Sequence, residues 1–198
     1  MKQPNSAPVD TKDQENDTGR FTNGLFDWCE AMIFSLILVV VVFTFFFRLI
    51  AVDGTSMLPT LQDHDMMIVS DLGYSPKRGD VIVVNKETFS IGPIVKRVIA
   101  VGGDTVDINF ATGEVFVNGE VLDEPYINEF MVDPGMDSIH DVVVPEGSIF
   151  VMGDNRNHSS DSRNVTLGTV DERYVLGRAL WVLLPFQNFG AIVHGAEM

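Results

Sequence analysis

A long apolar segment near the N-terminus constrains this chain more than any other feature. From Ala31 to Phe47 no residue carries a formal charge and nearly all are Ile, Leu, Val or Phe, and Leu49 to Val52 extend the run beyond Arg48. As a helix the uncharged part spans about 25 Å, close to the thickness of a hydrocarbon core when Arg48 snorkels toward the headgroups. The segment therefore predicts a transmembrane anchor over residues 25–52.

A cleavable signal peptide is the competing interpretation of this segment. Its apolar region is usually about 7 to 15 residues long behind a short basic start, and no Ala-x-Ala site follows here. Lys2, Lys12 and Arg20 precede the helix, whereas no Lys or Arg follows Arg48 until Lys77. By the positive-inside rule, this bias predicts a single span with a cytoplasmic N-terminus and an outer domain on the opposite side.

Composition bounds the rest of the chain. Residues 1–24 are rich in Asn, Asp, Gln, Thr and Gly and have few large apolar side chains, which predicts a disordered cytoplasmic tail. The net charge of -15 argues against nucleic acid as a partner. Cys29 is the only cysteine, so no internal disulfide can form; a lipid attachment site and a plain membrane-flanking thiol both stay open.

Residues 53–198 are predicted to form a mostly β, antiparallel domain with a small inserted β subdomain at about residues 105–147. Short runs rich in Val and Ile alternate with turn residues, no long 3.6-residue apolar period is present, and Asn118-Gly119 is a strong hairpin signal. The predicted strands are Asp65–Ser70, Asp80–Asn85, Ile94–Val101, Thr105–Asn109, Glu114–Val117, Asp141–Val144, Ser148–Met152 and Leu176–Leu183.

Ser56 lies in a glycine- and proline-framed turn, Gly54–Leu61, shortly after the apolar segment. Two interpretations are open for this serine. It can cap a turn before Pro59 at a first helical position, or it can act as a nucleophile if a positioned base takes its proton. The four histidines lie in polar or terminal surroundings, and no Ser-His-Asp set can be singled out.

Lys96 is the candidate base. In Ile94–Val101, strand alternation places Ile94, Lys96, Val98 and Ala100 on one face. Arg97, on the other face, cannot lose its proton and must find water or an anion, whereas a desolvated lysine can be neutral. An edge-strand lysine that reaches solvent is the alternative.

A polar run, Gly153–Arg163, follows the strand that ends at Met152. It contains no aliphatic side chain, which predicts a loop held by its own hydrogen bonds and by an Asp161/Arg163 pair. Such a loop could present a hydroxyl to a buried lysine. The chain has no histidine pair or cysteine set at metal-ligand spacing and no phosphate-binding glycine loop, so neither a metal nor another cofactor is expected.

Taken together, these segments resemble type I signal peptidases, membrane-anchored serine proteases that remove signal peptides from exported proteins. Four stretches in the family's order carry the resemblance, and it extends from the anchor to about Leu184. They are the serine box Gly54–Leu61, the Arg-Gly-Asp box Arg78–Val83, the lysine box Val95–Asp104 and the last box Gly153–Arg163.

The resemblance implies roles for particular residues. Ser56 would be the nucleophile and Lys96 the general base. The implied supporting residues are Ser159, which would orient Lys96, and Asp154, Asp161 and Arg163, which would hold the loop. The implied substrate-binding residues are Val52, Met57, Leu61, Ile94 and Val95.

The chain departs from some bacterial members at Gly54, where those members have a serine hydroxyl that serves the oxyanion hole. The hole would then rely on the Ser56 backbone N–H and on a second donor that the sequence does not assign. Lysine rather than histidine at position 96 indicates the bacterial or organellar kind.

The function implied by the resemblance is cleavage after small residues of the Ala-x-Ala type in preproteins at the bacterial cytoplasmic membrane. The implied partners are preproteins that bear signal peptides, the lipid bilayer and the secretion translocon. A self-cleaving Ser/Lys repressor is disfavoured by the membrane span and the acidic charge. A membrane-anchored β-domain for binding or scaffolding, with an inactive dyad, is the remaining alternative.

Overall fold

A computed structural model describes residues 11–132 and 138–195 of the chain, with side chains from residue 26 onward. The chain divides into two compact units, Met1–Phe45 and Phe46–Met198. The described part of the first unit is helical, and the regular structure of the second consists of β-strands and three short 3-10 helices. The prediction of a mostly β protein behind one N-terminal apolar helix is confirmed.

The helix α1 covers Thr11–Phe46. Its part Phe26–Phe46 is, among the described residues, the one helix long and apolar enough to cross a membrane. Helix also covers residues 11–24, where composition predicts a disordered tail; once a helix is nucleated, each further residue adds one hydrogen bond, and no proline interrupts this stretch. Residues 1–10 of the predicted tail lie outside the described residues.

The second unit contains two antiparallel sheets. Its strands are β1 (Arg48–Ala51), β2 (Met66–Ser70), β3 (Val81–Val84), β4 (Ile94–Val101), β5 (Thr105–Asn109), β6 (Glu114–Val117), β7 (Glu120–Val121), β8 (Asp141–Val143), β9 (Ser148–Met152), β10 (Val170–Asp171), β11 (Val175–Leu184) and β12 (Gly190–Ala191). The large sheet has the order β1-β2-β11-β3-β4-β9-β10, with β12 paired to β11, and the small sheet has the order β7-β6-β5-β8. Short 3-10 helices cover Arg156–His158, Glu172–Tyr174 and Phe186–Asn188.

The end of the predicted anchor requires a correction. Helix α1 ends at Phe46, and Arg48–Ala51, predicted to belong to the transmembrane segment 25–52, form strand β1. Each β1 residue has a partner in β2, for example Ile50 opposite Met67. Sequence patterning cannot distinguish an apolar strand from the end of an apolar helix, and here pairing with a distant strand decides.

The small sheet lies within the predicted insert and follows the expected alternation. Along β5, Val106 and Ile108 are buried and their neighbours are exposed. The Asn118-Gly119 hairpin is present, with φ of 55° and 81° at its two central residues, and it pairs β6 with β7. Positive φ at both positions is what the two-residue hairpin turn requires.

Strand β4 lies between β3 and β9 in the large sheet and is buried over most of its length. Its register with β9 shifts between Val98 and Ala100. Such a bulge places two residues opposite one, so Ile99 and Ala100 both pack in the small sheet's apolar cluster while Val98 packs in another. The predicted alternation of β4 therefore fails at Ala100, beyond Lys96.

Candidate active site

Ser56 lies in a succession of turns between β1 and β2. Gly54 has φ of 93°, a left-handed conformation that glycine adopts without strain, and its N–H donates to Asp63 Oδ1 at 2.8 Å. Leu61 N–H donates to Met57 O at 2.9 Å, which closes the turn. The residues between Gly54 and Leu61 form turns rather than the helix start of the capping interpretation.

Lys96 projects from the middle of β4 and is 3% exposed. Its Nζ lies 2.7 Å from Ser56 Oγ, although the two residues are 40 positions apart. Burial lowers the pKa of Lys96 from 10.5 to about 8; the charges of Asp161 and Asp154 oppose this shift, and that of Arg163 adds to it. Roughly a tenth of such a lysine is neutral at pH 7, so it can accept a proton from the serine hydroxyl.

The loop after β9 holds the serine turn through Asn155, which the sequence did not single out. Its N–H donates to Ser56 O at 3.0 Å, and its side-chain Nδ2 donates to Thr55 O at 3.0 Å. At Gly153 a Cβ would overlap the Ser56 carbonyl oxygen and the Ser159 side chain. Only glycine therefore allows this loop to approach the serine so closely.

The predicted Asp161/Arg163 pair is present and buried. Arg163 Nε and Nη2 each donate to the Asp161 carboxylate at 2.8 Å, and Gly153 N–H donates to the same group at 2.9 Å. Burial alone would raise the pKa of Asp161, but the hydrogen bonds and charge of Arg163 hold it below its usual value. A permanent carboxylate thus lies near Lys96.

Asp154 pairs with Arg97, which answers the expectation that Arg97 must find an anion. Arg97 Nε and Nη2 donate to the two Asp154 oxygens at 2.8 and 2.7 Å, and both side chains are fully buried. Thr60 Oγ1, from the serine turn, also donates to Asp154. The ion pair therefore joins the lysine strand, the serine turn and the last loop.

A second buried arginine, Arg156, was also missed by the sequence reasoning. Its Nε donates to Gly153 O at 3.1 Å and its Nη1 donates to Glu124 Oε2 at 2.9 Å. Glu124 comes from the segment between β7 and β8, so the insert fastens the loop that holds the serine turn. A sequence pattern carries no signal for an ion pair between residues so far apart.

Ser159, expected to orient Lys96, makes no hydrogen bond to it. Its Oγ is buried and has no hydrogen-bond partner among the described residues. The hydroxyl oxygen occupies the space that a Cβ at position 153 would need. The orienting role of Ser159 stays a prediction.

The oxyanion hole is only partly defined by this geometry. The Gly54 N–H already donates to Asp63, so it is not free to bind an oxyanion. In the described part of the chain, no acceptor takes the Ser56 N–H. This leaves Ser56 N–H as one available donor and the second donor unassigned.

Four of the five predicted substrate-binding residues pack together. Val52, Met57, Leu61 and Val95 are buried in one apolar cluster beneath the serine turn. Ile94 belongs to a different cluster, because neighbouring residues of a strand point to opposite faces. No group of three or more His, Cys, Asp or Glu that could hold a metal occurs among the described residues.

A serine hydroxyl within hydrogen-bond distance of a buried lysine, held by an antiparallel β fold, is a geometry that can support serine hydrolase chemistry with lysine as the base. Comparison with known proteins specifies the class. The family model described as "Signal peptidase, peptidase S26" matches residues 25–184. The chain belongs to this family, which confirms the resemblance inferred from the four boxes.

Individual relatives agree with the family match. The chain is 37% identical to signal peptidase I of Bacillus licheniformis, over 88% of this chain and 96% of that one. It is 35% identical to signal peptidase I T of Bacillus subtilis (strain 168), over 88% and 93%. A crystal structure of a signal peptidase I from Enterococcus faecalis V583 is 31% identical and covers 56% of this chain and 97% of that one, with a TM-score of 0.41.

Proposed function

We propose that this protein is a membrane-anchored serine endopeptidase that removes N-terminal signal peptides from exported preproteins. The observation that carries the proposal is the 2.7 Å separation of Lys96 Nζ and Ser56 Oγ, with the lysine buried. Relatives named signal peptidase I match most of the chain and supply the substrate class. Cleavage after small residues of the Ala-x-Ala type follows from the family.

The proposed reaction uses Ser56 as the nucleophile and neutral Lys96 as the general base. Ser56 Oγ attacks the scissile carbonyl carbon while Nζ takes the hydroxyl proton. The C–N bond then breaks, and the lysine ammonium gives its proton to the leaving amine. A water molecule attacks the acyl ester, Lys96 accepts the water proton, and the acid product leaves as the proton returns to Ser56 Oγ.

The supporting residues act by holding the loop and the charges around Lys96. Asp154 and Asp161 are each neutralised by an arginine, Arg97 and Arg163, so that they do not fully restore the positive form of Lys96. The Ser56 N–H stabilises the developing oxyanion. Ser159 would contact the lysine when substrate reorders the site.

The substrate is proposed to bind as an extended strand, with small side chains in shallow apolar pockets. Val52, Met57, Leu61 and Val95 supply apolar walls next to the serine turn. Ile94 would contribute from the other face of β4 or through its backbone.

We further propose that the protein lies in the bacterial cytoplasmic membrane, with the N-terminus cytoplasmic and the catalytic domain outside. The helix Phe26–Phe46 has the length and composition of a span, and Lys2, Lys12 and Arg20 precede it. A protease tethered at the bilayer meets cleavage sites at high effective concentration. Emergence of preproteins from the secretion translocon at the same surface makes the translocon a further candidate partner.

The catalytic domain carries apolar side chains suited to lipid contact. Trp181 and Phe189 lie with ring centroids 5.6 Å apart, and Phe186 is 81% exposed. Aromatic residues of this kind favour the interface between headgroups and hydrocarbon. These side chains support the lipid bilayer as a partner of the domain itself.

Cleavage of a preprotein tests the proposal. The purified full chain in detergent is incubated with a secreted preprotein bearing an Ala-x-Ala site, and the products are sized and their new N-termini determined by mass spectrometry. We expect a single cut after the second alanine, lost in Ser56→Ala and kept in Ser75→Ala, a change at an exposed serine. No cleavage by the unaltered protein would favour the alternative, a binding or scaffolding domain with an inactive dyad.

A further inference from the structure

The C-terminal segment, residues 190–195, lies beyond the family match, which ends at residue 184. It begins as β12, paired with β11 through Ala191 opposite Trp181. Ile192 N–H then donates to Leu180 O at 3.0 Å, and the Ile192 side chain is buried in the same cluster as Met57 and Val95. The segment is therefore packed against the residues that surround the candidate site.

Beyond Ile192 the segment completes the hydrogen bonding of Arg97. Arg97 Nη1 donates to Val193 O at 3.2 Å and to Gly79 O at 2.8 Å. Together with two bonds to Asp154 and one from Nη2 to Thr60 Oγ1 at 3.4 Å, all five N–H donors of the guanidinium have acceptors. Because Arg97 is fully buried, loss of any acceptor leaves a polar group that water cannot easily satisfy.

His194 fastens the strand that lies beside the lysine. Its Nδ1 accepts the Val81 N–H at 3.1 Å. In the pairing of β3 with β4, Val81 lies opposite Arg97 and Ile82 lies opposite Lys96. The described pairing of β11 with β3 stops at Ile82, so the imidazole takes the place of a strand carbonyl at the next residue.

His194 is in the protonation state that this contact needs. Burial, with a contribution from Arg178, lowers the pKa of His194 to about 4, against an opposing effect of Asp80. The neutral ring can therefore accept at Nδ1 over the range in which Lys96 titrates. Gly195 N–H donates to Gly79 O at 2.9 Å and closes the segment onto the Arg-Gly-Asp turn.

We propose that residues 190–195 are a positioning element of the peptidase site, with His194 as its positioning residue, acting through Val81 and Arg97 on Lys96. This inference rests on the proposed function. His194 never touches the reacting atoms; it fixes the part of β3 that sets where β4 places the lysine. The same segment holds Arg97 on Asp154, next to the Asn155 N–H that binds the Ser56 carbonyl.

Loss of this element has two expected effects on catalysis. When only His194 is changed, a small shift of β4 lengthens the distance from Lys96 Nζ to Ser56 Oγ and lowers kcat, whereas Ile192 and the apolar substrate walls stay in place and KM changes little. If Arg97 moves away from Asp154, the free carboxylate acts more strongly on Lys96, beside Asp161 and Arg163. That carboxylate raises the lysine pKa, so the acid limb of the rate profile moves to higher pH.

The test compares three substitutions in the full chain, assayed for preprotein cleavage in detergent. His194→Leu cannot accept the Val81 N–H, and we expect kcat to fall about tenfold with KM within about twofold. His194→Asn places an amide oxygen near the position of Nδ1 and should restore most of the activity. Val115→Ala, in the core of the small sheet, is the control for lost stability. It should destabilise the protein without changing any residue of the site, and it should leave kcat unchanged.

Removal of residues 190–198 deletes the Val193 carbonyl that accepts from Arg97 and the His194 imidazole that accepts from Val81, and it should lower kcat about a hundredfold. If that variant does not fold, the three substitutions decide. Equal kcat in His194→Leu and the unaltered protein, or an equal loss in His194→Asn, would overturn the positioning role alone. No cleavage by the unaltered protein would overturn the proposed function and this role with it, so the two failures are distinct.

Discussion

The two sheets of the catalytic domain differ in the kind of side chain that they bury. The large sheet region buries charged side chains. They lie in its strands, next to its strands or in the loop after β9, and they are Asp65, Asp80, Lys96, Arg97, Asp154, Arg156, Asp161 and Arg163. Within the described part of the small sheet, no charged residue is buried. Its core contains Val106, Ile108, Val115, Val117 and Met131.

We interpret this difference as a division between buried residues that serve function and buried residues that serve packing. A buried ion pair is weak support for stability, because desolvation offsets much of the attraction. A domain that builds an interior from alternating valines in one sheet has no need of charges in the other for folding alone. The buried charges that act on Lys96 are those of Asp154, Asp161 and Arg163, and in the proposed mechanism a desolvated lysine and fixed carboxylates serve the chemistry. We therefore expect substitutions in the large sheet to change activity and those in the small sheet to change stability.

The largest effect is expected at Lys96. Lys96→Arg keeps the positive charge, but the arginine cannot be neutral, since its guanidinium stays protonated in proteins. We expect kcat/KM for preprotein cleavage to fall at least about a thousandfold, as far as in Lys96→Ala. The measurement is single-turnover cleavage with both variants. An active arginine variant would remove Lys96 from its role as the base.

Gly153→Ala comes next, because a methyl group there overlaps the Ser56 carbonyl oxygen and the Ser159 side chain. We expect kcat to fall about a hundredfold as the loop moves off the serine turn. Gly119→Ala in the small-sheet hairpin is the control. It strains a residue with φ of 81° and costs about 1 kcal/mol of stability, with full activity. Similar cleavage rates in the two variants would contradict the division between the sheets.

The small sheet was also the easier part to predict. The bounds of β5 and β6 were predicted correctly, because strict alternation and the Asn118-Gly119 turn are local signals. In the large sheet the bounds of β4 and β9 were also predicted correctly, but β1, β10 and β12 were not predicted as strands. Strand β1 was missed, since its partner β2 lies beyond the serine turn and apolar residues run on from the helix.

At the site, residue types could be predicted but contacts could not. The need of Arg97 for an anion followed from its chemistry, whereas the choice of Asp154 depends on a contact across 57 positions. Asn155 and His194 carried no signal, because each acts through a backbone group of a distant segment. The pairing of Ser56 with Lys96 came from family resemblance rather than from periodicity.

Asp154→Asn tests the buried charges themselves. It leaves Arg97 buried without its counter-charge, which should cost about 3 kcal/mol of stability and lower kcat about tenfold. Because the Asp154 charge raises the pKa of Lys96, its removal should also move the acid limb of the rate profile to lower pH. Thermal unfolding and a pH profile measure the two effects. An unchanged acid limb would show that Asp154 acts only as a structural partner.

The pH dependence of the unaltered protein should reflect the buried lysine. With the pKa of Lys96 lowered by burial to about 8, the neutral base is lost as pH falls. We expect kcat/KM to drop about tenfold per pH unit below that value and to level off above it. A preprotein without titrating groups near its cleavage site avoids contributions from the substrate. A plateau extending down to pH 6 would contradict the assignment of Lys96 as the group that titrates.

The smallest effect is expected on the exposed face of the small sheet. Asp107 in β5 lies directly opposite Asp141 in β8, and both side chains are exposed. Like charges in facing positions repel, so Asp107→Asn should raise the free energy of unfolding by about 0.5 kcal/mol and the unfolding temperature by about 1 to 2 °C. The gain in unfolding free energy should shrink in high salt. Asp123→Asn, at an exposed carboxylate outside the strands, should raise the free energy of unfolding by less than Asp107→Asn does. Because this exposed face contains none of the buried charged residues, cleavage should be unchanged. A loss of activity in Asp107→Asn would mean that the small sheet contributes to catalysis as well as to stability.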